Sequence, residues 1–126
     1  MTKTPKRELG LVLLHLGDGL RQVVDPADVF YLEARDEDTV VRLRSAQHLV
    51  DTRPMRELLP SFELHEYLQI HREYAVNLQR VRQVRRRENS RDWEVKLEPP
   101  VNRVLPVSRS ALRKLWEAFE TGQLTD

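Results

Sequence analysis

The chain has 126 residues, 40% of them hydrophobic and 33% charged, with no cysteine and a formal net charge of +1. That is apolar material for one modest core, and it excludes disulfides, thiolate metal sites and cysteine nucleophiles. No run approaches the roughly 20 apolar residues that span a bilayer, so no membrane insertion and a cytoplasmic location are expected.

In chain order the predicted elements are mostly strands. "LVLLHL" and "LRQVV" flank Gly17-Asp18-Gly19 and read as a hairpin around a tight turn. The first of these follows basic residues, but it contains His15 and ends in glycine and aspartate rather than a cleavage site, so it is a strand and not a signal peptide. "DPAD" suits a one-turn connector with Pro26 at its start. "VFYLEAR" and "TVVRLRS" flank the acidic tip Asp36-Glu37-Asp38, and "QHLVDT" is a further short strand. "RPMRELLPSF" places Met55, Leu58 and Leu59 at helical spacing, with Pro54 fitting its start and Pro60 its stop. "YLQIHREYAV", "RVRQVRRR", "WEVKLE" and "NRVLPV" are strand candidates, although Val81 and Val84 in the second do not alternate cleanly. The final "SRSALRKLWEAFETG" is the clearest helix. Ser108 is its N-cap, Leu112, Leu115, Trp116 and Phe119 form one apolar face, and Gly122 is its expected stop.

Catalytic chemistry finds little support. "HEYLQIH" superficially matches a zinc-protease pattern, but its second histidine comes six residues later instead of four. On a strand His65 and His71 would stand about 20 Å apart, too far to share an ion. No phosphate-cradling glycine loop, nucleophile elbow or paired-carboxylate motif is present, so neither an enzyme nor a cofactor is expected.

Charge is unevenly spread. Residues 1–70 carry 9 Lys and Arg against 12 Asp and Glu, whereas residues 71–114 carry 12 against 5. Arginine outnumbers lysine 17 to 4, which favours bidentate recognition of phosphate or guanine. A concentrated basic segment is the electrostatic footprint of a nucleic-acid binder. Its bland counterpart is a solvated face on which Glu88, Asp92 and Glu94 neutralise several arginines, with Ser108 a plain helix cap and Arg109 in water.

Three stretches carry a closer resemblance: "DVFYLEA" at 28–34, "LHEYLQIHREYAVNLQRVRQV" at 64–84 and "LPVSRSALRKL" at 105–115. In this order they resemble the LytTR (LytR/AlgR-type) DNA-binding domain of bacterial response regulators, over roughly residues 9–119. The resemblance implies a mostly β, elongated arrangement of antiparallel strands with one short helix and a C-terminal helix. Residues 1–8 and 120–126 would be tails, in a stand-alone member with no receiver domain. It implies a transcriptional regulator that places two loops in successive major grooves of double-stranded DNA. Two copies would bind direct-repeat sites, under a separate sensor or inhibitor protein. Carried over by motif, Arg72 reads a base or phosphate and Arg109 reads bases beside Ser108. Thr39 and Arg35 flank the first contact loop. Arg113, Arg85 and Arg86 complete the expected DNA-binding set, and His71 and Asn77 shape the loop. Ile70, Tyr74, Val76 and Leu78 are expected to anchor a bent strand–loop–strand unit around Arg72. Glu73 and the acidic tip depart from the family's pattern. They favour a second reading, a protein-interaction module on the same fold that has lost DNA binding.

Overall fold

Tight turns set the strand order. A computed structural model of the protein describes residues 10–45 and 47–124; the expected tail at residues 1–8 lies outside the described residues. Strands β1 (Val12–Gly17) and β2 (Leu20–Val24) are joined by Asp18 and Gly19, whose φ values of 53° and 75° make the Asp-Gly turn that suits a twisted hairpin. The Asp25 side chain accepts from the Ala27 N–H and caps a 3-10 turn at Pro26–Asp28. Then come β3 (Val29–Arg35), β4 (Asp38–Leu43), β5 (His48–Asp51) and helix α1 (Met55–Glu63). Strands β6 (Tyr67–His71), β7 (Tyr74–Asn77), β8 (Val81–Arg86), β9 (Trp93–Leu97) and β10 (Val104–Val107) lead to helix α2 (Arg109–Leu124).

The strands form a β1–β2 ribbon, a five-stranded sheet in the order β5-β4-β3-β7-β6 and a three-stranded sheet in the order β10-β9-β8. Every pairing among the described residues is antiparallel. The central sheet is covered on both faces. On one side the ribbon and α1 bury Leu14, Leu58 and Phe62 against Val29 and Leu32. On the other, the three-stranded sheet and α2 bury Leu97, Leu105 and Leu115 against Phe30, Tyr31, Ile70 and Val76. Double coverage explains why "VFYL" in β3 is an unbroken apolar run rather than an alternating one. A register shift between Val29 and Tyr31 lets the consecutive Phe30 and Tyr31 both enter the second core.

Two sequence expectations need correction, and one irregularity finds its cause. Helix α1 does not stop at Pro60; the proline lies inside it. A proline in a helix interior costs about 3 kcal/mol. Burial of Leu58 and Phe62 at about 1.5–3 kcal/mol each offsets that, and the Arg56 carbonyl, to which Pro60 has no N–H to donate, is on an exposed residue. Gly122 does not end α2, which runs to Leu124, because a glycine lowers helix propensity without forcing a break. The uneven spacing of Val81 and Val84 is a β-bulge: the β8–β9 register shifts between Val81 and Gln83, and both valines face the second core.

Two buried polar nodes fix the layers. Asp51 has no exposed surface. Its carboxylate accepts from the Arg53 guanidinium at 2.8 and 2.9 Å, from the Arg53 N–H and, at 2.8 Å, from the His15 N–H of β1. This ties the ribbon to the edge of the central sheet. At the opposite end of that sheet, Asn77 is buried, donates to the Pro26 and Val29 carbonyls and accepts from the Gln79 N–H. The Tyr67 hydroxyl bonds the same two carbonyls, and burial pushes its ionisation far above the ordinary phenol range.

Candidate nucleic-acid interface

Antiparallel pairing carries several turns to one end of the molecule. The β3–β4 turn is the pair Asp36-Glu37 between Arg35 and Asp38, and the β6–β7 turn is the pair Arg72-Glu73 between His71 and Tyr74. They are locked together by the Ala34 N–H donating to the Glu73 carbonyl at 2.8 Å. The start of α2 joins them through the Ser108 N–H, which donates to the Ile70 carbonyl at 2.7 Å. Because Trp93 pairs with both Arg86 and Val107, the β8–β9 turn falls at this end too.

The Arg72 turn is built to be rigid. His71 Nδ1 accepts from the Glu73 N–H at 3.1 Å, and Gln69 donates to the Arg72 carbonyl at 3.3 Å. Beneath it Ile70 and Val76 are fully buried, and Tyr74 and Leu78 pack on the same core. Arg72 and Glu73 are left exposed at the tip. Asn77 belongs elsewhere, at the other end of β7, where its amide caps the turn at Leu78–Arg80.

At the start of α2, Ser108 Oγ accepts from the Ala111 N–H at 3.2 Å, the N-cap bond that fixes the helix entry. Arg109 is the first helical residue and is exposed. Arg113 lies one turn on along the same face, whereas Ser110 and Lys114 line a shallow cleft with Gln69, His71 and Arg72. A second cleft on the other side of Ser108 is lined by Arg91, Asp92, Trp93 and Arg109.

The remaining expected contacts divide. Arg35 is exposed beside the acidic tip, and Asp36 and Glu37 are exposed with it. Thr39 offers no free side chain for contact: it is fully buried and its hydroxyl donates to the Arg53 carbonyl at 2.8 Å, in the segment that follows β5. Arg85 is held by Glu94 at 2.7 Å, and Arg87 reaches the same carboxylate at 3.6 Å. Arg80 is structural, bonded to the Ala27 carbonyl and to Glu98 at 2.9 Å. Among the described residues Arg72, Arg86, Arg91, Arg109, Arg113 and Lys114 enter no ion pair. Sequence reasoning missed Gln69, Ser110, Lys114 and Arg91. The four-residue spacing of Ser110 and Lys114 was an available signal for a shared helix face, but adjacency to Arg72 exists only after folding.

No group of three or more histidine and carboxylate side chains gathers at metal-binding geometry among the described residues, and no helix there is long and apolar enough to cross a membrane. A family model described as the LytTr DNA-binding domain matches residues 21–120. A solved LytTr DNA-binding domain from Bacillus cereus is similar in fold, with a TM-score of 0.69 at 20% identity, covering 87% of this chain and 96% of that one. No curated protein matches the chain.

Proposed function

Because the chain belongs to the LytTR DNA-binding domain family, we propose that it is a transcriptional regulator that reads tandem half-sites in double-stranded DNA. Two copies sit on direct repeats, and each presents loops rather than a recognition helix to the major groove. The observation that carries this reading is the convergence of Arg72 and Arg109 on one end of the fold. Both are exposed and free of ion pairs among the described residues, beside turns held by backbone hydrogen bonds. A planar guanidinium on a rigid turn suits the O6 and N7 acceptors of guanine. Arg86, Arg113 and Lys114 supply phosphate contacts, which set register and affinity but not base choice. No covalent chemistry is involved. The protein acts in the cytoplasm, under a separate sensor or inhibitor protein.

A second reading, a protein-interaction module that has lost DNA binding, is favoured by exposed carboxylates at Asp36, Glu37 and Glu73 on the same surface. Salt separates the two. Two copies making about six phosphate contacts lose about 10³-fold in affinity between about 50 and 200 mM salt, with a log–log slope of about −0.9 per contact. A gel-shift titration of genomic fragments across that range is expected to show this fall. Absence of binding at the low-salt end would support the interaction module instead.

A further inference from the structure

The β8–β9 turn lies at the same end as the proposed contact loops, although nothing in its sequence resembles a contact motif. The turn is well braced. The Arg87 N–H donates to the Asp92 carbonyl at 2.8 Å, the Ser90 N–H to the Arg87 carbonyl at 3.2 Å, and the Asp92 N–H to Ser90 Oγ at 3.0 Å. Asn89 takes the left-handed conformation at φ 58° that closes it. Its two flanking arginines then differ. Arg87 is drawn back along the sheet toward Glu94, whereas Arg91 is exposed and has no ion pair among the described residues.

Arg91 and Asp92 form one wall of the cleft whose other wall carries Ser108 and Arg109, with Trp93 and Leu112 also lining it. The cleft holds ≈ 230 Å³, room for about eight water molecules and so for a phosphate group with part of its hydration. If Arg109 enters a major groove, a cation across a cleft of this size stands over the backbone bordering that groove rather than over its base edges. Its own wall also carries a carboxylate, which opposes the same phosphate.

We propose that Arg91 is a DNA-backbone clamp, a contact that grips the phosphate strand flanking the groove read by Arg109, with Asp92 tempering its strength. This rests on the DNA-binding reading above. The two neighbouring side chains therefore act with opposite sign. Arg91→Ala weakens binding to all duplexes alike and makes the salt slope shallower by about 0.9 for each copy bound, without altering base preference. Asp92→Asn tightens binding, because it removes a negative charge beside the phosphate and leaves the backbone bonds of the turn in place. Arg44→Ala removes one positive charge at the opposite end of the sheet, where the Arg44 N–H meets the Asp28 carbonyl, and leaves the slope unchanged.

The experiment is a salt titration of binding to a selected duplex by the full chain and these three variants, with circular dichroism confirming the fold. A slope unchanged in Arg91→Ala, or weaker binding by Asp92→Asn, overturns the clamp. Loss of salt-dependent binding in the unmodified protein would instead remove the DNA-binding reading on which the clamp rests.

Discussion

Asp51→Ala is expected to lower folding stability by about 3 kcal/mol, as much as truncating a buried core side chain. Opening a buried ion pair by removing one partner costs about 3–5 kcal/mol. The lower end applies because Arg53 keeps 25% of its side chain in water and is partly rehydrated. The His15 and Arg53 N–H groups also lose their acceptor, so the β1–β2 ribbon loosens from the central sheet. The same node predicts the acid response. Burial alone would raise the Asp51 carboxyl, but hydrogen bonds from the Arg53 side chain and from the His15 and Arg53 backbone outweigh it and hold the group below the ordinary carboxylate range. A depressed folded-state pKa stabilises above the unfolded value of about 3.9, and that contribution is lost as pH falls through the folded one. Thermal unfolding between pH 7 and pH 2 should therefore show a steep loss of stability below about pH 4, and Asp51→Asn should flatten that loss. A profile of the same steepness in the variant would assign acid sensitivity to other groups.

Arg109→Ala is expected to lower affinity for each half-site about 5- to 150-fold, the equivalent of about 1–3 kcal/mol for one bidentate guanine contact. Discrimination at one base position should relax while the others keep their preference. Arg72→Ala should do the same at a different position, because the two side chains leave the fold from separate turns that Ser108 and Ile70 hold together. Binding measured on a panel of single-base variants of the duplex checks both. Unchanged affinity in both proteins would show that these arginines are not the readers.

What could be read in the sequence was whatever depends on neighbours along the chain. The Asp-Gly hairpin, the Ser108 cap and the apolar face of α2 all follow from local chemistry. So does the assignment to a mostly β fold with a short and a C-terminal helix, whereas Tyr67–Val76 reads locally as one strand and is divided at Arg72-Glu73 into β6 and β7. Features that depend on distant partners were hidden. Thr39 reads as a residue of an exposed tip, yet it is fully buried and bonded to the Arg53 carbonyl, fourteen residues along the chain. The three-residue spacing of Val81 and Val84 is a bulge pattern that looks like noise until β9 supplies the register. Pro60 behaves as a helix stop only where burial fails to compensate, and here Leu58 and Phe62 do. The net charge of the basic segment overstates its availability, because Glu94 and Glu98 hold Arg85, Arg87 and Arg80. Arg91 was invisible for the opposite reason: its neighbours in space, Ser108 and Arg109, lie far along the chain.

Selection from a random duplex pool with the full chain tests the central reading most directly. Enrichment of a directly repeated motif, its copies about one helical turn apart so that two protomers share a face of the DNA, is the expected result, with guanines at the positions that Arg72→Ala and Arg109→Ala relax. A pool that shows no enriched motif at low salt, or an inverted repeat in place of a direct one, would contradict it.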